Sequence, residues 1–249
     1  MPAESHNALV VEVDALSVLS LVAHQSGVAL VRQVRVTTGA VGLGASDLRI
    51  WLDPWTAAPW SRAIGPLGPF ETCVIDDISP PVELERLLAL HERVQGRLCW
   101  ALFGADGQAF AEGSAPLALL APIEWPGLSP LPELLAGFVL PNDPGLQPVL
   151  GSVASRLAAA GADPSLEGYQ KGEKRRVLEL VQALYETLQA IGITYISPPA
   201  SFEKQGQKVR LPGTVLTDSF GTCLDLSTLV ASALEQIGLH PVVALVRGH

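Results

Sequence analysis

The chain has 249 residues, 48% hydrophobic and 16% charged, which suffices for one large or two ordinary domains and is too apolar for a disordered protein. The net charge is −9, and residues 1–140 carry most of it without any lysine, which disfavours nucleic-acid binding by that part. The longest apolar stretches are far shorter than the roughly 20 residues that cross a bilayer, and Glu12 and Asp14 in the first apolar run exclude a standard secretory signal.

The first half of the chain predicts short strands joined by turns. Between residues 8 and 121, β-branched apolar runs alternate with turn-forming residues, and residues 104–107 (GADG) separate two such runs as in a hairpin. We expect an antiparallel β-sandwich of immunoglobulin type over residues 1–122. The tract 82–94 fits either a helix or a strand, and the alternation of its leucines favours a strand.

The three cysteines, Cys73, Cys99 and Cys223, are odd in number and irregularly spaced. This pattern argues against a disulfide framework and favours the reducing cytoplasm as the location of the protein. Cys73 and Cys99 fall in predicted strands, where we expect them to be small buried apolar residues.

The second half, residues 123–249, predicts mainly helices. Apolar residues recur at helical spacing over 131–139, over 146–160 and, most clearly, over 177–191, where Gly192 supplies a stop. The start of the third helix is basic, which we interpret as a solvated helix end rather than a phosphate-binding patch; its residues are Lys171, Lys174, Arg175 and Arg176. The sequence therefore predicts an α+β protein, with a β-sandwich followed by a mostly helical domain.

The last 32 residues hold the candidate site. Thr222 and Asp225 have the spacing of a capping box, which predicts that a helix begins at Cys223. A glycine and a proline then stop that helix, and residues 242–246 (VVALV) predict a strand that leads to His249. The helix, about 22 Å long, and the strand, about 26–30 Å long, have similar lengths, so a tight turn would bring His249 back beside Cys223.

Cys223 and His249 together indicate nucleophilic chemistry. The positive end of a helix dipole favours a thiolate in the first turn, and a histidine within hydrogen-bond reach can take and return the proton. Asp225 opposes this effect, because its carboxylate lies in the same turn. From the pattern alone, a buried structural role for Cys223 is favoured over a catalytic one.

These residues carry a family resemblance. Residues 221–249 (GTCLDLSTLVASALEQIGLHPVVALVRGH) resemble the transglutaminase-like, papain-like superfamily, in which a cysteine opens a helix and a histidine lies on the next strand. The resemblance implies that Cys223 is the nucleophile and His249 the base. The third residue of that family, an Asp or Asn on a further strand, has no counterpart in this sequence. We therefore expect a truncated domain with an incomplete catalytic set.

A second resemblance covers about residues 115–249. The segments APIEWPGL, LLAGFVLPNDP, YISPPASFEKQGQKVRLP and GTCLDL are similar to the amino-terminal region of large bacterial multidomain proteins. In those proteins a β-sandwich and a transglutaminase-like segment precede a superfamily-one helicase and a nuclease. The sequence has no G-x-x-x-x-G-K-[ST] motif, so we expect no helicase motor in this chain. We expect either a fragment of such a protein or a gene that stops here.

Four residues before the helix of Cys223 are candidates for a substrate groove, or else pack against that helix: Pro198, Pro199, Phe202 and Gln207. The histidines and cysteines are too scattered to predict a metal site. We expect no cofactor.

Two functions fit the sequence. The favoured one is a scaffolding module, in which the β-sandwich and an inert papain-like lobe bind a protein or peptide partner. The alternative is a cysteine-nucleophile hydrolase or acyltransferase that uses Cys223 and His249. Neither function implies membrane contact or direct binding of nucleic acid by this chain, and the sequence leaves the oligomeric state undetermined.

Overall fold

The chain has two compact units, Met1–Pro122 and Ile123–His249. The computed structural model describes residues 8–56, 58–129, 131–169, 172–198 and 202–246, without the side chains of residues 202 and 203. Strands dominate the first unit and helices the second, and most of the paired strands are antiparallel. The predicted α+β class is therefore confirmed.

Strands form most of the first unit: β1 (Val10–Ala15), β2 (Val18–Leu19), β3 (Val31–Thr37), β4 (Ser46–Asp53), β5 (Trp60–Ile64), β6 (Thr72–Ile75), β7 (Val94–Gly104) and β8 (Ala109–Leu119). In the described residues they pair as one sheet in the order β1-β3-β6 and another in the order β2-β8-β7-β4-β5. The short β2 runs parallel to β8, and the other pairs are antiparallel.

Each of these sheets has a buried face. In β4 the burial alternates, with Leu48 and Ile50 fully buried, as expected for a period of two residues. In β3, Val34 and Val36 are fully buried as well. The apolar, β-branched runs seen in the sequence therefore supply the core of the first unit.

The predicted hairpin at residues 104–107 is confirmed. It joins β7 to β8, and Gly107 adopts a φ of +77°, which a glycine tolerates without strain. Asp106 stabilises the turn, because its Oδ1 accepts a hydrogen bond of 3.0 Å from the backbone N–H of Gln108.

Two short helices lie where turns or strands were expected: α1 (Leu21–Gln25) and α2 (Leu84–Leu88). Ser20 caps α1 by accepting a hydrogen bond from the N–H of Ala23. The preference for a strand over residues 82–94 was wrong for its first part. There a single turn of helix buries Leu87.

The second unit contains most of the helices found in the described residues: a 3₁₀ helix (Pro132–Phe138), α3 (Leu146–Ala159), α4 (Lys174–Ile191), α5 (Phe202–Gln205), α6 (Pro212–Asp218) and α7 (Cys223–Gln236). Its strands are β9 (Glu124–Trp125), β10 (Thr194–Tyr195), β11 (Gln207–Lys208) and β12 (Phe220–Gly221). One apolar core joins α3, α4, α6 and α7, and its buried residues include Val153, Leu180, Val215 and Leu229.

Helix α4 ends as predicted but begins differently. Gly192 closes it in the left-handed conformation, with a φ of +75°. Arg176, which we assigned to a solvated helix end, is only 3% exposed. Its guanidinium donates to the backbone oxygen of Ser165 and lies 3.6 Å from a carboxylate oxygen of Glu179. Arg176 therefore fastens the loop before α4 to that helix.

The segment after α7 is not the predicted strand. Gly238 ends the helix with a φ of +78°, but residues 241–246 pair with no strand in the described part of the chain. Their burial nevertheless alternates as in a strand, since Pro241, Val243 and Leu245 are half-buried and the residues between them are exposed. The segment therefore has the burial pattern of a strand, but no neighbouring strand is hydrogen-bonded to it within the described ranges.

Candidate functional site around Cys223

A capping box fixes the start of α7. The N–H of Thr222 donates to Oδ2 of Asp225 at 2.8 Å, and the N–H of Asp225 donates to the hydroxyl of Thr222 at 3.4 Å. The helix begins at Cys223 as predicted. The cysteine is half-buried and has a free thiol.

The carboxylate of Asp225 is fully occupied by structural contacts. It is 0% exposed, and besides the cap it accepts hydrogen bonds from the backbone N–H of Arg210 at 2.8 Å and from Nη1 of Arg210 at 3.1 Å. The Arg210 guanidinium also lies over the ring of Phe220, 4.6 Å from its centroid. Asp225 therefore ties the segment before α6 to the start of α7.

Gln207 lies at the same helix start. It is buried, and its Nε2 donates to the hydroxyl of Thr222 at 3.0 Å. Strand β11 holds it in place by pairing with β9, with Gln207 opposite the fully buried Trp125. Of the predicted groove residues, Gln207 thus contacts the residue that directly precedes Cys223 in the chain. Oε1 of Gln207 has no hydrogen-bond partner among the described residues.

Pro198 lies after β10, which pairs with β12 directly before the start of α7. Tyr195 pairs with Gly221, and the N–H of Ile196 donates to the oxygen of Gly221 at 2.9 Å. Pro198, half-buried, follows two residues later. Of the other groove candidates, Pro199 lies outside the described residues, and Phe202 is described only as the first residue of α5.

No described histidine joins Cys223. His249, the predicted base, lies outside the described residues. In the described part of the second unit the only imidazole is that of His240, which stacks on Tyr169 with ring centroids 5.4 Å apart. His240 follows the end of α7, and that helix of 14 residues is about 21 Å long. The described residues therefore supply a positioned thiol without a base.

Comparisons with known proteins identify no family. No family model and no curated protein matches the sequence. Among solved structures, a family 76 glycoside hydrolase from a bovine Bacteroides thetaiotaomicron strain aligns with 93% of this chain and 49% of its own, at 10% sequence identity. The chain thus spans about half of that protein. The TM-score is 0.21, too low to show a shared fold.

Two further kinds of feature are absent from the described residues. They contain no group of three or more His, Cys, Asp or Glu side chains arranged to hold a metal ion. Within the same residues, no helix is both long and apolar enough to cross a membrane.

A pair of clefts flanks the segment 241–246, and sequence reasoning missed both. One of ≈ 450 Å³ lies between this segment, α7 and the 3₁₀ helix, where Glu133 and Glu235 join its apolar lining. The other, of ≈ 390 Å³, lies between the segment and the face of α7 that runs from Leu226 to Leu234, and none of its lining residues is charged. The segment therefore runs back along α7 towards the end where Cys223 lies. The only signal in the sequence was the run of valines, which we assigned to a paired strand.

Proposed function

We propose that this chain is a polypeptide-binding module. In it, a papain-like, transglutaminase-like second unit presents the segment 241–246 to an extended segment of a partner protein or peptide. The observation that carries the proposal is that this segment pairs with no strand among the described residues. A strand without a neighbour offers its N–H and C=O groups as a template for another strand, a mode of binding known as β-augmentation.

Exposure and composition of the segment support this proposal. Val242 is 90% exposed and Val246 is 59% exposed, although valine is usually buried. No described residue hydrogen-bonds to the backbone of residues 242–246. An added strand would satisfy those groups and cover the valines.

The first unit fits a supporting role in this proposal. Its strands form two sheets with buried side chains, and we propose that these sheets pack as an immunoglobulin-like β-sandwich. Together with the sequence resemblance, this suggests a scaffolding region like the amino-terminal part of helicase-related multidomain bacterial proteins. The three free thiols fit a cytoplasmic setting for it.

Fluorescence anisotropy with two labelled peptides tests the proposal. The neutral peptide SQVTVTVQS can add as a strand, whereas SQVPVPVQS has a similar apolar character but lacks two of the N–H donors that a strand needs. We expect the full chain to bind the first peptide at least tenfold more tightly than the second. Equal binding of both peptides, or binding of neither at millimolar concentration, would contradict the proposal.

A second candidate function is that of a cysteine-nucleophile hydrolase or acyltransferase. It is favoured by the placement of the half-buried Cys223 thiol in the first turn of a capped helix, directly after Thr222, whose hydroxyl accepts a hydrogen bond from Gln207. The test is hydrolysis of peptide amides by the chain and by its Cys223→Ser variant. We expect no turnover above that of the variant. Turnover that Cys223→Ser abolishes would instead establish the enzyme.

A further inference from the structure

The cleft of ≈ 450 Å³ beside the segment 241–246 combines an apolar floor with acidic groups. Its apolar lining includes Leu135, Val139, Val243 and Leu245. Its volume falls within the range of about 300–1,000 Å³ that is common for binding pockets in proteins. A cleft of this size accommodates one or two apolar side chains of an extended peptide.

Two carboxylates set the charge of this cleft. Glu133 comes from the first turn of the 3₁₀ helix and Glu235 from the last turn of α7, and both are exposed. Among the described residues neither has an ion-pair partner. None of the other residues that line this cleft is charged. A ligand that fills the cleft therefore meets two negative charges that no described cation neutralises.

The cleft on the other side of the segment provides an internal comparison. It borders the same segment and the same helix, but none of its lining residues is charged. The two clefts beside the segment therefore differ in electrostatics more than in apolar character. A partner that binds along the segment is directed to the cleft that matches its own charge, because complementary charges fix register and suppress wrong partners.

We infer that the cleft beside Glu133 and Glu235 binds an extended polypeptide whose apolar anchor is flanked by lysine or arginine. This inference rests on the proposed polypeptide-binding function and adds the class of its partner. The cations of the partner lie against the two carboxylates, and its apolar side chain fills the floor between Val139 and Leu245. A second copy of this chain is disfavoured as the occupant, because it would bring a net charge of −9 to an acidic cleft.

Three labelled peptides that differ only in their flanking charge test the inference: SKVTVTVKS, SQVTVTVQS and SEVTVTVES. By anisotropy with the full chain at low salt, we expect the lysine peptide to bind roughly tenfold more tightly than the neutral one, and the glutamate peptide more weakly than both. The preference should shrink as salt is added, because these charges are exposed.

Variants distinguish the effect of the charges in the cleft from the effect of the overall charge of the protein. The double substitution Glu133→Gln and Glu235→Gln should abolish the preference for lysine while the neutral peptide still binds. Glu167→Gln, which removes an exposed carboxylate that does not line the cleft, should leave the preference intact. A preference that persists in the double variant, or that never appears, overturns the inference.

The outcomes also distinguish this inference from the proposed function. If the neutral peptide binds more tightly than its proline version but flanking charge has no effect, the polypeptide-binding function stands and the inference fails. If no peptide binds, both fail. Sedimentation of the chain alone tests whether a second copy of the chain occupies the cleft instead. A dimer that the Val243→Lys substitution dissociates would assign the cleft to a second copy and overturn the inference.

Discussion

Asp225 accepts three hydrogen bonds in a position that water does not reach, from the N–H of Thr222 and from two donors of Arg210. Asp225→Ala removes a helix cap and leaves Arg210 without its anion. We expect the free energy of unfolding to fall by about 2–4 kcal/mol. Urea denaturation followed by helical circular dichroism measures this, because the long helices lie in the second unit.

Ser227→Ala is the matched control for that measurement. Ser227 is exposed in the first turns of the same helix, and its hydroxyl bonds only to the backbone oxygen of Cys223. We expect a change within about 0.5 kcal/mol. A similar small change for Asp225→Ala would show that the network around Asp225 does not hold the helix start.

The Cys99 thiol tests the electrostatics of the first unit. Burial raises the pKa of Cys99, the Asp53 carboxylate raises it further, and Arg97 lowers it. Because the thiolate is the reactive form, alkylation of Cys99 by iodoacetamide should become fast only at a higher pH than for a cysteine in a short peptide. Mass spectrometry of labelled protein across a pH series measures the midpoint.

Two substitutions test the direction in which each neighbouring charge shifts the pKa of Cys99. Asp53→Asn removes a negative neighbour and should shift the midpoint for Cys99 to lower pH, whereas Arg97→Gln removes a positive one and should shift it to higher pH. Shifts in the opposite directions would contradict the assigned causes.

At the residue scale, local sequence patterns predicted the helix cap, but they did not lead us to the burial of the charged side chains. The Thr222–Asp225 spacing predicted the capping box, because both partners lie within one turn. The contact of Asp225 with Arg210 spans 15 residues, and no local pattern encodes it. Arg176 did leave a signal, since it precedes the buried Leu180 by four residues on the same helix face. We assigned it to solvent because of its charge.

Among the elements, the β9–β11 pair depends on a glycine. Gly206 has a φ of +76°, and a Cβ placed there would lie 2.0 Å from the backbone oxygen of Trp125. We expect Gly206→Ala to separate β11 from β9 and to lower the free energy of unfolding of the second unit by about 3 kcal/mol or more. Urea denaturation measures this loss.

Gly192→Ala is the control that distinguishes the cost of steric crowding from the cost of a left-handed backbone conformation. Gly192 has a similar φ of +75°, but nothing lies within 4 Å of the position of its Cβ. We expect a loss of about 1–2 kcal/mol, from the left-handed conformation alone. Equal losses at the two positions would contradict the role given to the contact between Gly206 and Trp125.

The long helices could be predicted, and the shortest elements could not. Helices α3, α4 and α7 combine apolar periodicity with clear stop signals, so both their existence and their approximate ends follow from the sequence. The single-turn α2 depends on burying one leucine, which no periodic pattern reveals. Residues 242–246 have the composition of a strand, but a strand also needs a neighbour, and composition does not supply one.

At the scale of the whole molecule, the division at residue 122 predicts that the first unit folds alone. Its sheets pair within Met1–Pro122, and their buried side chains supply a core. We expect residues 1–122, expressed separately, to show β-sheet circular dichroism and cooperative unfolding in urea. A chain without a cooperative transition would contradict the independence of this unit.

The change of hydrophobic period along the sequence predicted a strand-rich first half and a helical second half. The candidate site could be predicted only in part. Gln207 contacts Thr222, the residue before Cys223 at the start of α7, and the described residues of the second unit place no base beside Cys223. The helix stop and the similar lengths of helix and strand predicted that the chain turns back along α7, but the clefts beside the segment depend on which side chains pack there. That packing is tertiary and has no local sequence signal.

Hydrogen exchange at the backbone amides of residues 242–246 tests the central claim most directly. These amides have no hydrogen-bond acceptor among the described residues, so they should exchange rapidly in the protein alone. With saturating SQVTVTVQS we expect exchange of alternate amides in this segment to slow at least tenfold, as a newly paired strand requires, and the proline peptide SQVPVPVQS should have no such effect. Unchanged exchange in the presence of bound SQVTVTVQS would contradict the claim that this segment receives a partner strand.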